Sequence, residues 1–381
     1  MVTNPKIFTM KLSTLFRSKP RKQLTKFQEW RNAIVFAVVV ATLIRWSTVE
    51  AFVVPTSSME NTVLVGDYLF VSKFHYGSRT PRTLLQIPLT HQYIWGTKIP
   101  SYLDWIELPS YRFPGISEVK RNDVVVFNLP GNDVNDTKNA SRPIDLKVYY
   151  VKRCVAVAGD VVEINDRELK VNGSNSPKPA EMKHSYIVTS NDRISDKNLV
   201  RLDLDREDYF LLGRSDKGEV IYRMLLTFDQ VKSLEVLPYV SSVIADTKPA
   251  EHSDNGIFGG RWNEDNFGPL RVPSAGMTIP INDSTLTIYG DVILNYEHLK
   301  DVKTTNGKLL INGIAVNSYT FSQNYYFMMG DNRNNSWDSR FWGFVPEDHV
   351  LGTPLFIWFS IDKEADLFNK IRWERLMNII R

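Results

Sequence analysis

With 381 residues, 43% of them apolar and 23% charged, the chain is long enough for two globular units, and its composition excludes a disordered or low-complexity protein. A single cysteine, Cys154, excludes an intramolecular disulfide and is compatible with either redox compartment. The net charge of +3 hides an asymmetry: residues 1–31 carry eight Lys/Arg against Glu29, a local +7, leaving −4 over the rest. The basic excess is therefore confined to an arm, and no nucleic-acid partner is expected.

Directly after that arm comes the one strongly apolar run, Ala33 to Ile44, which continues through Arg45 and Glu50 into Ala51-Phe-Val-Val54. With Trp30/Arg31 and Arg45/Trp46 as interface anchors the span is about 17 residues, the lower limit for a transmembrane helix. Residues 32–50 are read as a single anchor, with the basic side (1–31) cytoplasmic and everything after Glu50 outside. A buried core helix and a cleavable leader ending at Val49-Glu50-Ala51 are the competing readings. The +7 arm argues against the first, and loss of the anchor against the second.

Beyond the anchor the pattern alternates. The segments 67–73, 123–129, 148–157, 160–164, 208–212, 286–289, 308–311, 325–329 and 353–359 are short, β-branched or aromatic, and bounded by turn residues, so each is expected as a strand. Helical patterns are scarce outside the termini and residues 227–235. Residues 78–119 and 251–275 read as loops or insertions, and the C-terminal 361–381 reads as an amphipathic helix that packs on the β-domain or lies on a membrane surface.

Three clusters carry chemistry. Pro55-Thr-Ser-Ser-Met-Glu-Asn-Thr62 places hydroxyls just past the anchor, where they serve either as nucleophile candidates or as ordinary turn caps. In Tyr150-Val-Lys-Arg-Cys154, alternation sets Lys152 among apolar neighbours on a half-buried strand. A solution lysine is neutral at pH 7 in fewer than about one molecule in a thousand, but burial lowers its pKa by about 3–5 units and makes it a usable base. A lysine snorkelling from a strand edge is the plainer alternative. The third cluster, Gly330-Asp-Asn-Arg-Asn-Asn-Ser-Trp-Asp-Ser-Arg340, is a turn in which Asp331, Arg333, Asp338 and Arg340 are expected to form two acid–base pairs. The six histidines show no ligand spacing, so no metal and no cofactor are expected.

Together, Ser58-Met59, Gly66-Asp67 with Lys73, Tyr150-Val-Lys-Arg153 with Gly159-Asp160, and Gly330 to Arg340 closely resemble, in order, the motif boxes of bacterial type I signal peptidases. The resemblance implies a mainly β fold: a signal-peptidase-like antiparallel catalytic core over 51–164 and 323–360, an inserted second β-region over 165–322, and the N-terminal transmembrane helix. It implies a membrane-bound serine endopeptidase that removes signal peptides from exported preproteins, with Ser58 as nucleophile and Lys152 as general base. Thr56 and the Ser58 N–H fall on the oxyanion hole. Ser336 is implied to hydrogen-bond the lysine, Asp338 and Arg340 to hold the loop, and Phe127, Tyr150, Met328 and Met329 to form the apolar lining.

Phe52, Val53 and Val54 are candidate pocket residues for small −1 and −3 side chains of the preprotein. The implied location is the inner membrane, with lipid as a neighbour and the catalytic domain on its outer face. Two departures stand out: Asn61 replaces the usual proline and is expected to loosen the turn after the nucleophile, and Trp337 is bulky where a small residue is frequent. A Ser/Lys protease with another substrate and a non-enzymatic membrane-tethered β-protein are the other readings.

Overall fold

The computed structural model describes residues 24–253, 258–362, 365 and 369–380. Most of the basic arm, residues 1–23, lies outside these. Helix α1, Lys26–Ser47, starts at a capping box between Thr25 and Gln28, and none of its side chains is buried. It is long and apolar enough to cross a membrane. The helix ends as strand β1 begins at Val49, with Thr48 alone between them.

The largest sheet among the described residues has seven strands: β1 (Val49–Val53), β2 (Asp67–Ser72), β3 (Val124–Asn128), β4 (Tyr149–Ala156), β5 (Tyr325–Met329), β6 (Val345–Pro346) and β7 (Val350–Ser360). Their spatial order is β1-β2-β7-β3-β4-β5-β6, and every pairing is antiparallel. Strand β3 is buried on both faces. Val124 and Val126 pack with Met59, Leu69 and Ile357, while Val125 and Phe127 pack with Cys154, Met328 and Val345. That is the period-two alternation of a strand covered on both sides, and it explains why Val-Val-Val-Phe reads as a continuous apolar run.

Between β4 and β5 the chain builds two further units. Residues 184–245 form a four-stranded sheet, in the order Tyr209–Arg214, Val220–Leu226, His184–Ser190, Val240–Ala245. It has its own core around Val188, Met224 and Leu234, the last from helix Phe228–Glu235. The other unit packs Val162, Ile164, Phe267, Leu270 and Ile293 onto the outer side of β5 through Phe327 and Met329.

Most expected strands form. Residues 286–289 do not: they lie inside helix Asp283–Tyr296. The β-branched run Thr287-Ile288 suggests a strand locally. The helix prevails because Asn282 and Thr285 cap its start reciprocally, and Tyr289, Val292 and Ile293 recur at helical spacing on its buried face. The region 165–322 is thus not β throughout. The expected C-terminal helix is also absent from the described residues of 361–381. They form one 3₁₀ turn, Trp373–Arg375, and single bridges from Ile371 to Ile361 and from Ile379 to Phe356. Arg375 binds the buried Asp67 carboxylate at 2.7 Å, so the tail is held by sheet-edge contacts in place of helical ones. Within 78–119 a hairpin forms, Thr83–Gln86 against Tyr102–Glu107.

Candidate active site

Ser58 lies in a tight turn after β1. Val54 N–H donates to Asp67 O and Gly66 N–H to Val54 O, which closes the chain back onto β2. Met59, fully buried, pins the turn into the core. Asn61 adopts φ +70°, a left-handed conformation that asparagine tolerates and proline, locked near −65°, does not. The turn therefore follows a backbone path that proline at this position would not allow. Thr62 Oγ1 donates to Asp331 at 2.6 Å and holds the far side.

Lys152 comes from the middle of β4 and is 3% exposed. Its Nζ donates directly to Ser58 Oγ, a contact between two buried groups. Burial lowers the lysine pKa to about 8, although the Asp338 and Asp331 carboxylates act in the opposite direction. The Tyr150 ring centroid lies 5.4 Å from Nζ. Phe127, Tyr150 and Met328 share one apolar cluster on this side of the sheet, whereas Met329 points into the opposite core. The lining expected of Met329 is thus not provided, because successive residues of β5 face opposite ways.

The Gly330–Arg340 loop locks the pair in place. Asn332 N–H donates to Ser58 O, and Asn335 Nδ2 donates to Ser57 Oγ at 3.0 Å. Asp338, fully buried, accepts from the Gly330 N–H and from Arg340 Nε and Nη2 at 2.9 and 2.8 Å. The second expected acid–base pair is different from the one anticipated. Asp331 is bound by the fork of Arg153 at 2.8 and 2.7 Å, not by Arg333. Arg153 follows Lys152 directly, so one ion pair ties the strand that carries Lys152 to the loop that holds the Ser58 carbonyl.

Ser336 is buried beside this site, but its Oγ has no hydrogen-bond partner, so the expected bond to Lys152 is not formed. Thr56 is exposed at the mouth.

Ser58 and Lys152 open onto a cleft of about 880 Å³. Phe52, Val53 and Val54 line it together with Trp337, Phe341 and Glu207, the last from the 3₁₀ turn Arg206–Asp208 of the inserted region. Val54 is nearly fully buried and forms floor, while Val53 is half exposed. The Trp337 ring stacks on Phe341 at 4.9 Å, which turns its bulk along the wall.

One participant escapes sequence reading. Lys183, 1% exposed, grips Asp208 at 2.8 Å and Glu60 at 3.4 Å, joining the inserted region to the turn that carries Ser58. Nothing in the local pattern around Lys183 signals this, since both of its partners are remote in sequence.

The family model described as "Signal peptidase, peptidase S26" matches residues 27–218 and 272–359 of this chain. The chain is 27% identical over 342 residues to Signal peptidase I of Buchnera aphidicola subsp. Schizaphis graminum, covering 88% of this chain and 77% of that protein. Against Signal peptidase I of Helicobacter pylori strain 26695 it is 25% identical over 364 residues, covering 91% and 90%. Against that of Haemophilus influenzae it is 24% identical over 379 residues, covering 94% and 77%. A family match over most of the catalytic sheet, together with relatives spanning nearly the full chain, makes this protein a serine endopeptidase that belongs to the signal peptidase family, peptidase S26, of the bacterial type I kind.

Proposed function

We propose that the protein removes N-terminal signal peptides from exported preproteins with Ser58 as nucleophile and Lys152 as general base. The observation that carries this reading is the direct contact of a buried amine with a serine hydroxyl. A neutral Lys152 accepts the Ser58 proton, and Oγ attacks the carbonyl carbon of the preprotein's −1 residue. The Ser58 N–H and the Thr56 hydroxyl receive the oxyanion. Collapse expels the mature chain's amine, which takes the proton from the lysine; water activated by the same amine then hydrolyses the ester and releases the signal peptide.

Strand β1 is the edge of its sheet, with its outer side unpaired, so an extended substrate segment adds to it as a further strand. Phe52, Val53 and Val54 border that path, and small −1 and −3 side chains fit beside them where larger ones collide. The apolar surface of α1 and the basic arm before it suit a single anchor in the inner membrane, with the N-terminus inside and the catalytic sheet outside.

The decisive experiment incubates the full-length protein with a panel of preproteins and sequences the released termini. Cleavage after small residues at −1 and −3, abolished in Ser58→Ala, is expected. Cleavage that persists in Ser58→Ala rules the assignment out.

A further inference from the structure

A second cavity, of about 410 Å³, lies where α1 meets the catalytic sheet. Its apolar wall comes from Leu43 and Trp46 of α1, Ile87 and Leu89 of the hairpin region, and Leu351 of β7. Four cations, Arg45, Lys73, Arg79 and Arg82, also border it, against the carboxylates of Glu50 and Asp145. Burial holds the pKa of His91 down to about 4, so this wall residue is neutral at ordinary pH, and the cationic side chains of the wall outnumber its carboxylates.

Two buried nitrogens in the wall have no hydrogen-bond partner: Nε of Arg82, a fixed donor, and Nε2 of His91. Buried polar atoms are rarely left unpaired, and finding two around one cavity points to an occupant that brings polar atoms as well as apolar bulk.

The position of the cavity names the class of that occupant. The cavity sits at the foot of the one helix, among the described residues, that is long and apolar enough to cross a membrane. Beside it the 83–107 hairpin and the loop joining its strands expose Trp95 at 71% and Trp105 at 80%, with Ile99 and Ile106 also outward, the side-chain types found where protein meets the lipid interface. A ligand that is apolar, carries acceptor oxygens, prefers a cationic rim and is concentrated at a helix end is a phospholipid.

The cavity and the active-site cleft share one wall residue, Tyr149. The His91 ring stacks on Tyr149 at 4.6 Å, and Tyr149 packs edge-on against Phe52 at 4.8 Å. We propose that this cavity binds one anionic membrane phospholipid, with acyl chain against Leu43 and Ile87 and ester or phosphate oxygens on Arg82, and that occupancy steadies the Phe52 end of the substrate cleft. The second half rests on the peptidase reading above; the binding itself does not.

Binding is tested on delipidated full-length Ser58→Ala protein in detergent, by native mass spectrometry with phosphatidylglycerol or phosphatidylcholine. One phosphatidylglycerol retained per chain, preferred over phosphatidylcholine and bound about tenfold more weakly by Ile87→Trp, which fills the cavity, is the expected result. His91→Leu, which removes one polar partner without adding bulk, serves as a second variant and is expected to weaken retention in the same direction. Equal retention by parent and both variants, or retention without saturation, overturns the proposal. Cleavage of a preprotein by the active enzyme then reads the coupling. Phosphatidylglycerol is expected to lower KM for the parent and to leave Ile87→Trp unchanged, with similar lipid-free rates for the two. Equal stimulation of both overturns the coupling.

Discussion

Gly330 lies so close to Ser58 that a Cβ on it would collide with the Ser58 carbonyl oxygen and with Ser336 Oγ on its other side. The Ser58 carbonyl is held by the Asn332 N–H and Gly330's own N–H is bound to Asp338, so neither backbone moves apart without losing a hydrogen bond. Gly330→Ala is therefore expected to shift the nucleophile rather than unfold the sheet. A misplacement of about 1 Å costs about 10²-fold in kcat. Single-turnover cleavage by a variant with an unchanged melting temperature checks it, and near-parental kcat would show that the loop yields.

With Lys152 as the proposed base, its titration should set the pH dependence. With its pKa lowered to about 8 by burial, the amine is mostly protonated at pH 7 and has no lone pair to receive the Ser58 proton. The rate should therefore rise as pH increases toward 8 and level off above it, losing about tenfold per unit on the acid side. Lys152→Met keeps the bulk and removes the base, and is expected to lose about 10²–10⁴-fold in kcat. A profile of kcat/KM against pH, with no limb near 8, would assign the proton transfer to another group.

The Lys183 cluster makes a stability prediction. Lys183→Met leaves Glu60 and Asp208 buried without their cation, and should destabilise the protein by about 3–5 kcal/mol. Glu60→Gln acts in the other direction. Burial first, and Asp208 second, raise the Glu60 pKa to about 7. The folded protein then holds this proton more tightly than the unfolded chain, so its contribution to stability declines as pH rises from about 4.5 through 7. Thermal unfolding of parent and Glu60→Gln between pH 5 and 8 should show the difference moving in favour of the variant with increasing pH.

Trp337 contributes to the cleft wall through its stack on Phe341. Trp337→Ala removes a pair worth about 0.5–1.5 kcal/mol and should raise KM by about 2–10-fold while leaving kcat close to parental. Steady-state kinetics on a preprotein separates the two constants.

The strands around the site were legible because their residues alternate or run continuously apolar over distances a single strand spans, as in Val124–Asn128 and Tyr149–Ala156. The Ser58 and Lys152 positions were legible through resemblance, since spacing alone leaves a hydroxyl turn and a strand lysine unconnected across 94 residues. What escaped was tertiary. Asp331 sits two residues from Arg333 yet pairs with Arg153, which β4 brings alongside from a point remote in sequence. Residues 286–289 read as a strand because their β-branched content outweighed an Asn282 cap three residues upstream of Thr285.

Thr48 is the whole connection between α1 and β1. On the proposed single-anchor reading, so short a connection keeps the sheet, and Ser58 with it, next to the membrane end of α1. The reach from lipid to scissile bond then depends on the enzyme's own junction as well as on the length of the segment linking a preprotein's apolar stretch to its cleavage point.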